Sequence, residues 1–296
     1  MATPRVVVIT RPSDYEALLA RHGTREQARF FLQTRGQDIG DAEQRDADQR
    51  AALDAVSRAI PTRVRRSHVG RRDLSRFLFE PDDVVACVGQ DGLVANVAKY
   101  LSGQLVVGIN PEPERNDGVL ARHTSREAKD LVNDALSNKV NVEERTMVEA
   151  VTDDGVRLLA LNEIYVGHRT HQSARYRVRF ESKEERQSSS GIIVSTGTGA
   201  TGWARSIALS RSHAPELPKP CDPKLVFFVR EAFPSIATGT KVVTGLVGDD
   251  SALSITSEMN EGGTLFGDGI EDDAVDFRWG LGVNVRTARE RLRLVL

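Results

Sequence analysis

A short apolar run that ends at a glycine-rich turn is the feature that most constrains the fold of this chain. The run Val84–Val88 is followed by the turn Gly89–Gly92 and then by a helical pattern. A continuous β-branched run is typical of a buried parallel strand, and a loop between such a strand and a helix is where open α/β sheets bind phosphates. Asp91 in this loop carries a carboxylate that can accept a proton from a hydroxyl. Gly-x-Asp-Gly is also an ordinary turn sequence, so a purely structural role stays open.

Strand and helix patterns alternate through the first half of the chain. A strand pattern at Val6–Ile9 is followed by helices that begin after Ser13 and Thr24, and another strand pattern lies at Leu105–Ile109. Such alternation predicts a parallel sheet with helices on both faces. We therefore predict an α/β domain over residues 1–140.

The pattern changes after about Glu144 to short strands separated by Gly, Asp and Ser turns. The turn Asp153–Gly155 lies between two apolar runs, which is typical of a hairpin. These features predict a β-rich, mainly antiparallel domain over residues 141–279. The polar stretch Glu181–Ser190 is expected to be the exposed tip of a hairpin.

Composition excludes several classes of protein. Lys and Arg number 40 against 42 Asp and Glu, a formal net charge of -2 in 296 residues, so no charge bias indicates a nucleic acid or anionic membrane partner. Two cysteines are too few for a disulfide framework, which suits a reducing compartment. No run of 18 apolar residues is present, and the first strand pattern begins too early to leave room for a leader. We predict a cytoplasmic protein without a membrane or nucleic acid partner, and the scattered histidines predict no metal site.

The stretch Gly197–Gly202 fits G-x-G-x-x-G, follows the strand pattern Ile192–Ser195 and precedes a helical pattern. That arrangement is typical of a dinucleotide-binding oxidoreductase. Its late position, the proline-rich segment after it and the antiparallel character of its neighbours weaken that alternative. Threonine hydroxyls and backbone amides at a helix start still form a surface for polar ligand atoms. One ligand loop in each domain suggests a group-transfer enzyme.

Four motifs in collinear order resemble those of the NAD kinase family. They are Gly89–Leu93, Gly108–Asn110, Asn162-Glu163 and Ser195–Trp203. The sequence is most similar to the divergent mitochondrial-type branch, with which it shares further short segments: Asn110–Arg115, Ala160–Glu163, Ser189–Gly191, Thr196–Gly199 and Gly262–Thr264.

This resemblance implies a two-domain NAD kinase-like architecture in which the last segment, about residues 280–296, returns to the first domain. It implies that ATP phosphorylates the 2′-hydroxyl of the adenosine ribose of NAD to give NADP, with Mg²⁺ or another divalent cation held largely by the ATP phosphates. It also implies a homodimer or a higher homo-oligomer.

The resemblance assigns roles residue by residue. Asp91 is the catalytic aspartate that contacts the hydroxyl to be phosphorylated, Asn162 and Glu163 hold the NAD riboses, and Trp203 forms an aromatic wall beside the adenine. Thr198 and Thr201 lie around the nicotinamide and adenine ends, and Glu261 falls where many members have the Asp of a late Asp-Gly. The expected binding residues are Gly89, Gln90, Gly92, Asn162, Glu163, Thr198, Gly199, Thr201, Gly202, Trp203 and Glu261.

Two departures from the family pattern fall in the first loop. Gln90 replaces a glycine, so its side chain either crowds the ATP phosphates or binds them through its amide. Leu93 replaces a threonine and removes a hydroxyl. A weakened or repurposed NAD-binding relative is therefore an alternative to an active kinase.

Overall fold

The computed structural model describes residues 4–296, apart from the side chain of Asp272. The chain up to Glu143, together with Arg293–Leu296, forms one unit, and Glu144–Leu292 forms the other. In the described residues no helix has the length and apolar character needed to cross a membrane.

A parallel sheet is the centre of the first unit, as predicted. Its strands stand in the order β2-β1-β3-β4, with β5 beside the end of β4 and Arg293 and Leu294 beside its start, all parallel. The strands are β1 Arg5–Thr10, β2 Arg65–Gly70, β3 Val84–Val88, β4 Leu105–Asn110 and β5 His123–Thr124.

Helices cover this sheet, and the sequence specifies several of their ends. Ser13 and Glu16 form a reciprocal capping box at the start of α1, and Gly23 ends that helix because glycine adopts the required positive φ readily. The helices are α1 Asp14–His22, α2 Arg25–Gln33, α3 Ile39–Ala59, α4 Asp91–Ala98 and α5 Ala128–Leu136, with a 3₁₀ helix at Arg71–Arg76.

The continuous apolar strands are explained by burial on both faces. Val6, Val84 and Val107 pack in one cluster with α3 and α5. Val7 and Val85, which point to the other side of the sheet, are also fully buried. Helix α4 is buried over most of its length and packs against β1, β3 and β4.

The second unit is built from antiparallel strands, as predicted. One sheet has the order β13-β12-β11-β8-β15-β16, and in another β10, β9, β14 and β17 pair in sequence, while β6 and β7 form a hairpin. The strands are β6 Val142–Thr152, β7 Arg157–Ala160, β8 Glu163–His168, β9 Ala174–Phe180, β10 Lys183–Ser189, β11 Ile192–Ser195, β12 Lys224–Val229, β13 Thr244–Gly248, β14 Leu253–Ser257, β15 Gly263–Gly267, β16 Ile270–Asp276 and β17 Gly282–Val295.

A shared hydrophobic core lies between these sheets. Ile164, Val194 and Phe227 of the first sheet and Tyr176 and Ile255 of the second belong to one buried cluster. The alternation of buried and exposed residues along β9 is the pattern of a strand with one face on this core.

The prediction that Glu181–Ser190 is an exposed hairpin tip is correct at the start of the stretch, where residues 181–184 are exposed, and wrong at its end, where buried side chains belong to a strand. The turn lies at Glu181, whose φ is 52°, and Lys183–Ser189 forms β10, paired with β9. Gln187 and Ser189 are buried and hydrogen bond to the hydroxyl of Tyr176. Buried polar side chains are tolerated when they are hydrogen-bonded, so polarity did not indicate exposure here.

Candidate functional site

Loops of the first unit that follow β1, β3 and β4 lie at one edge of the sheet, because parallel strands all end on the same side. Gln90 precedes α4 and has an extended backbone. Its side-chain Oε1 accepts a hydrogen bond of 3.0 Å from Nη2 of Arg11, the residue directly after β1. The structure thus adds a guanidinium to the predicted phosphate loop. Arg11 belongs to no motif, and its one signal in the sequence is its place at the end of a strand pattern.

The carboxylate of Asp91 holds a neighbouring loop by accepting hydrogen bonds from the backbone of that loop. Its Oδ2 accepts the N–H of Val119 at 2.9 Å, and its Oδ1 accepts those of Leu120 at 2.9 Å and Ala121 at 2.8 Å. A carboxylate has about four lone-pair positions, so roughly one of them is left for a ligand.

The Gly-Ile-Asn motif at residues 108–110 also contacts the loop that Asp91 holds. A Cβ atom on Gly108 would lie 2.2 Å from the carbonyl oxygen of Leu120, so only glycine lets the loop pack on β4. Asn110 accepts the N–H of Glu112 at 3.0 Å and donates to the carbonyl of Asn116 at 2.9 Å. The two motifs of the first unit therefore fix one loop together.

The other residues of the Gly89–Leu93 motif differ in their surroundings. Leu93 is 2 % exposed, and a Cβ on Gly89 would lie 3.1 Å from its Cδ2. Leu93 therefore packs in the core of the unit. Gly92 is exposed, with open space where a side chain would be.

The structure brings together most of the predicted residues of the second unit, all except Glu261, in two adjoining segments. The N–H of Thr196 donates to the carbonyl of Asn162 at 2.9 Å, and its hydroxyl donates to the carbonyl of Leu161 at 2.6 Å. A Cβ on Gly199 would lie 2.3 Å from the same carbonyl of Asn162. The Asn162-Glu163 pair and the glycine-threonine loop are therefore one packed site.

Thr198 and Thr201 have different hydroxyl environments. Thr201 is exposed, and its hydroxyl donates to the carbonyl of Thr198 at 3.0 Å. Thr198 is 4 % exposed, and within the described part of the chain its Oγ1 has no hydrogen-bond partner. A buried hydroxyl without a partner costs about 1–3 kcal/mol. A ligand atom that bonds this hydroxyl would remove that cost.

A second aspartate organises the Asn162-Glu163 pair. Asp268 lies in the turn between β15 and β16, and its carboxylate accepts the N–H groups of Leu161 at 2.9 Å, Asn162 at 2.6 Å and Glu163 at 3.3 Å. Burial first, and then the charge of Asp268, raises the pKa of Glu163 to about 7. Asp268 was not among the predicted site residues, and its one signal in the sequence is an Asp-Gly pair between two strands.

An aromatic pocket of about 470 Å³ lies beside this cluster. Tyr165 stacks on Trp203 with ring centroids 6.1 Å apart and planes 12° apart, and Phe266 lies 4.8 Å from Tyr165. The guanidinium of Arg230 lies 5.1 Å from the Trp203 ring centroid, and Arg169 pairs with Asp276 at 2.7 Å. Stacked rings flanked by guanidinium groups suit a planar base that carries phosphates.

Glu261 lies in a different pocket, of about 460 Å³, together with His171, Arg175 and Glu258. His168 lines both this pocket and the aromatic one. The turn that contacts Asn162 and Glu163 is instead Asp268-Gly269.

The fingerprint Gly197–Gly202 is not part of a parallel βαβ unit. It follows β11, which is antiparallel to both β8 and β12, and it precedes the short helix α6, Trp203–Leu209. The stretch is therefore not the phosphate-binding turn of a Rossmann βαβ unit. Among the residues described, no group of three or more His, Cys, Asp or Glu side chains is placed to hold a metal ion.

Comparison with known proteins identifies the fold. No protein-family model and no curated protein matches the sequence. The structure of yeast NADH kinase complexed with NADH superposes with a TM-score of 0.64 at 13% identity, over 99% of this chain and 84% of that one. An NAD kinase from Archaeoglobus fulgidus in complex with ATP gives 0.61 at 18% identity, over 99% and 93%. The chain has the two-domain fold of these kinases, which confirms the predicted fold class and the resemblance at the level of fold.

Proposed function

We propose that this chain is an NAD(H) kinase that transfers the terminal phosphate of ATP to the 2′-hydroxyl of the adenosine ribose of NAD, giving NADP. The observation that carries the proposal is the packed cluster of Asn162, Glu163 and Thr198 beside the aromatic pocket. It occurs in a fold shared along nearly the whole chain with a structure titled NADH kinase complexed with NADH.

The second unit is assigned to NAD. Trp203 and Tyr165 supply a stacking surface for a base, and Arg230 beside them offers a cation for the pyrophosphate. Asn162 and Glu163 hold ribose hydroxyls. With its pKa raised to about 7, Glu163 can accept or donate a hydrogen bond near neutral pH. The buried Oγ1 of Thr198 gains a partner when the nucleotide binds.

The loop at Gln90 is assigned to ATP. Arg11, the Gln90 amide and the first backbone N–H groups of α4 supply positive potential for phosphates, and exposed Gly92 leaves room for them. Mg²⁺ would enter as the ATP complex, held largely by the ATP phosphates. Phosphoryl transfer needs mainly positioning and charge neutralisation.

Asp91 is assigned to the attacking hydroxyl. The free acceptor position on its carboxylate takes the proton of the 2′-hydroxyl while a bond forms between that oxygen and the terminal phosphorus of ATP. The bond from that phosphorus to the bridging oxygen breaks, and ADP leaves. The assignment of Asp91 rests on its place in the motif and on this remaining acceptor position.

A second candidate function is nucleotide binding without transfer. The observation in its favour is that Asp91 already accepts three backbone N–H groups, which occupy most of the acceptor positions of its carboxylate. In this case the Asp91 carboxylate would be a structural anchor.

A coupled assay separates the two candidates. Purified protein is incubated with NAD or NADH, ATP and Mg²⁺, and NADP(H) is detected by an NADP-specific dehydrogenase. Steady NADP formation supports the kinase, whereas calorimetric NAD binding without turnover supports the second candidate. The homodimer or higher homo-oligomer and the cytoplasmic location stay predictions, the first of which light scattering tests.

A further inference from the structure

We propose that Asp268 is a positioning residue that holds Asn162 and Glu163 in the orientation needed to bind the ribose hydroxyls of a dinucleotide. This inference deepens the proposed function and rests on it. It starts from a contact that neither the motif pattern nor the fold comparison assigns, namely one carboxylate bonded to three consecutive backbone N–H groups.

The contact spans the residues that would touch the ligand. Oδ1 of Asp268 accepts from Asn162 and Glu163, Oδ2 accepts from Leu161, and the Asp268 N–H donates to the carbonyl of Glu163 at 3.0 Å. Hydrogen bonds to a charged acceptor are about twice as strong as neutral ones. The backbone of residues 161–163 is therefore fixed from this side.

The opposite side of the same segment holds the glycine-threonine loop. The carbonyl groups of Leu161 and Asn162 accept hydrogen bonds from Thr196. A shift of residues 161–163 would therefore move this loop and Thr198 within it. Asp268 thus acts on both predicted ligand segments of the second unit through one stretch of backbone.

The turn itself does not require the carboxylate. Asp268 and Gly269 have φ values of 56° and 67° and connect the paired residues Gly267 and Ile270, as in a two-residue hairpin turn. Asn-Gly and Gly-Gly form such turns as well as Asp-Gly. The second oxygen and the negative charge of Asp268 serve the bonds to Leu161–Glu163.

Asp268 also acts on Glu163 electrostatically. After burial, the negative charge of Asp268 is the second cause of the raised pKa of Glu163. The residue that pairs with Glu163 on β11 is Ser195, which carries no charge. Removing the charge of Asp268 would lower the pKa of Glu163.

Two variants separate the functions of Asp268. Asp268→Gly keeps the positive φ of the turn and removes both acceptors. Asp268→Asn keeps one acceptor oxygen and replaces the other by an NH₂ group, which cannot accept the N–H of Leu161. Asp250→Asn, which removes a charge from an exposed residue of the same unit, is the matched control.

Four measurements on these proteins test the positioning role. We expect the amides of residues 161–163 to exchange hydrogen for deuterium at least about tenfold faster in Asp268→Gly. We expect the calorimetric Kd for NAD to rise about 10- to 100-fold, in proportion to the lost charge-assisted bonds, with a raised KM for NAD and an unchanged KM for ATP. In Asp268→Asn the pH midpoint of NAD affinity should move to lower pH, and Asp250→Asn should match the wild type throughout.

Wild-type exchange at residues 161–163 or a wild-type Kd for NAD in Asp268→Gly would overturn the positioning role. If that variant does not fold, wild-type exchange at Leu161 together with a wild-type Kd for NAD in Asp268→Asn overturns it. A wild-type protein that binds NAD but forms no NADP overturns the kinase function alone, and the Kd values still decide the role of Asp268. A wild-type protein that binds no NAD overturns both.

Discussion

The two units use the same backbone device in different electrostatic surroundings. Asp91 accepts the N–H groups of Val119, Leu120 and Ala121, and Asp268 accepts those of Leu161, Asn162 and Glu163. In each case three consecutive amides point to one carboxylate and a loop is fixed. The difference lies in the neighbours of the two aspartates.

Asp91 follows Gln90, which is bonded to the cation of Arg11, whereas Asp268 lies beside a second carboxyl group, that of Glu163. A cationic surrounding suits phosphates, and a pair of carboxyl groups suits the hydroxyls of a ribose. The comparison indicates that the neighbours, and not the anchoring carboxylate, set which part of a nucleotide each loop would take.

The largest expected effect separates an anchor from a catalytic base. Asp91→Asn keeps Oδ1, which accepts from Leu120 and Ala121, and removes the basic carboxylate. We expect kcat for NADP formation to fall about 10²- to 10⁴-fold with little change in the Kd for NAD. Asp117→Asn, an exposed aspartate in the loop that Asp91 holds, should leave kcat unchanged. Near-normal turnover in Asp91→Asn would reduce Asp91 to an anchor like Asp268.

The second effect concerns the carboxyl pair. The pKa of Glu163 is raised from 4.5 to about 7, so its protonated form favours the folded state. That contribution is complete below about pH 4.5 and is lost as the pH rises through 7. Relative to Glu163→Gln, the wild type should lose on the order of 2–3 kcal/mol of unfolding free energy between pH 5 and pH 8, measured by denaturant titration.

Glu216→Gln removes an exposed carboxyl group of the same unit and is the control for this titration. It should follow the wild-type profile at every pH. Parallel profiles for Glu163→Gln and wild type would show that Glu163 titrates as an ordinary glutamate, and the electrostatic contrast between the two loops would disappear.

The third effect tests whether the buried hydroxyl of Thr198 forms a hydrogen bond with bound NAD. Thr198→Val keeps the shape and removes the unpartnered Oγ1, so the free protein should become more stable, by up to about 1–2 kcal/mol. NAD affinity should fall by a similar free energy. Thr201→Val, which loses its hydrogen bond to Thr198, should instead be slightly destabilised. Equal loss of stability in both variants would argue against a ligand at Thr198.

The smallest expected effect tests the assignment of Arg11 and Gln90 to ATP. Arg11→Met should raise the KM for ATP about tenfold, through loss of one charged contact, and leave the KM for NAD unchanged. Gln90→Gly distinguishes the two alternatives at that position: a lower KM for ATP indicates crowding, and a higher one indicates an amide ligand. Arg63→Met, an exposed arginine of the same unit, is the control. A changed KM for NAD in Arg11→Met would mean that the loops are assigned to the wrong substrates.

The sequence predicts the central strands well because burial on both faces leaves a continuous apolar run, as in Val84–Val88 and Leu105–Asn110. It also predicts the packed pair of Asn162-Glu163 and the Thr196 loop, through the order of the family motifs. It does not predict Asp268 as an anchor, since an Asp-Gly turn between strands has the same appearance with or without distant partners.

The contacts of Asp91 could not be predicted for a similar reason. Its three partners lie 28 to 30 residues further along the chain, and their approach depends on the bare backbone of Gly108. Arg11 carries no motif, and only the adjacency of β1 and β3 brings it to Gln90. Such contacts depend on tertiary structure, which local pattern does not encode.

The most direct test of the proposed function is the identity of the product formed by the wild-type protein from NAD, ATP and Mg²⁺. We predict NADP phosphorylated at the 2′-position of the adenosine ribose, identified by ³¹P NMR and by its use as substrate by an NADP-specific dehydrogenase. NAD recovered unchanged from protein that binds it, or a phosphate on any other hydroxyl, would contradict the assignment of Asp91 and of the two loops.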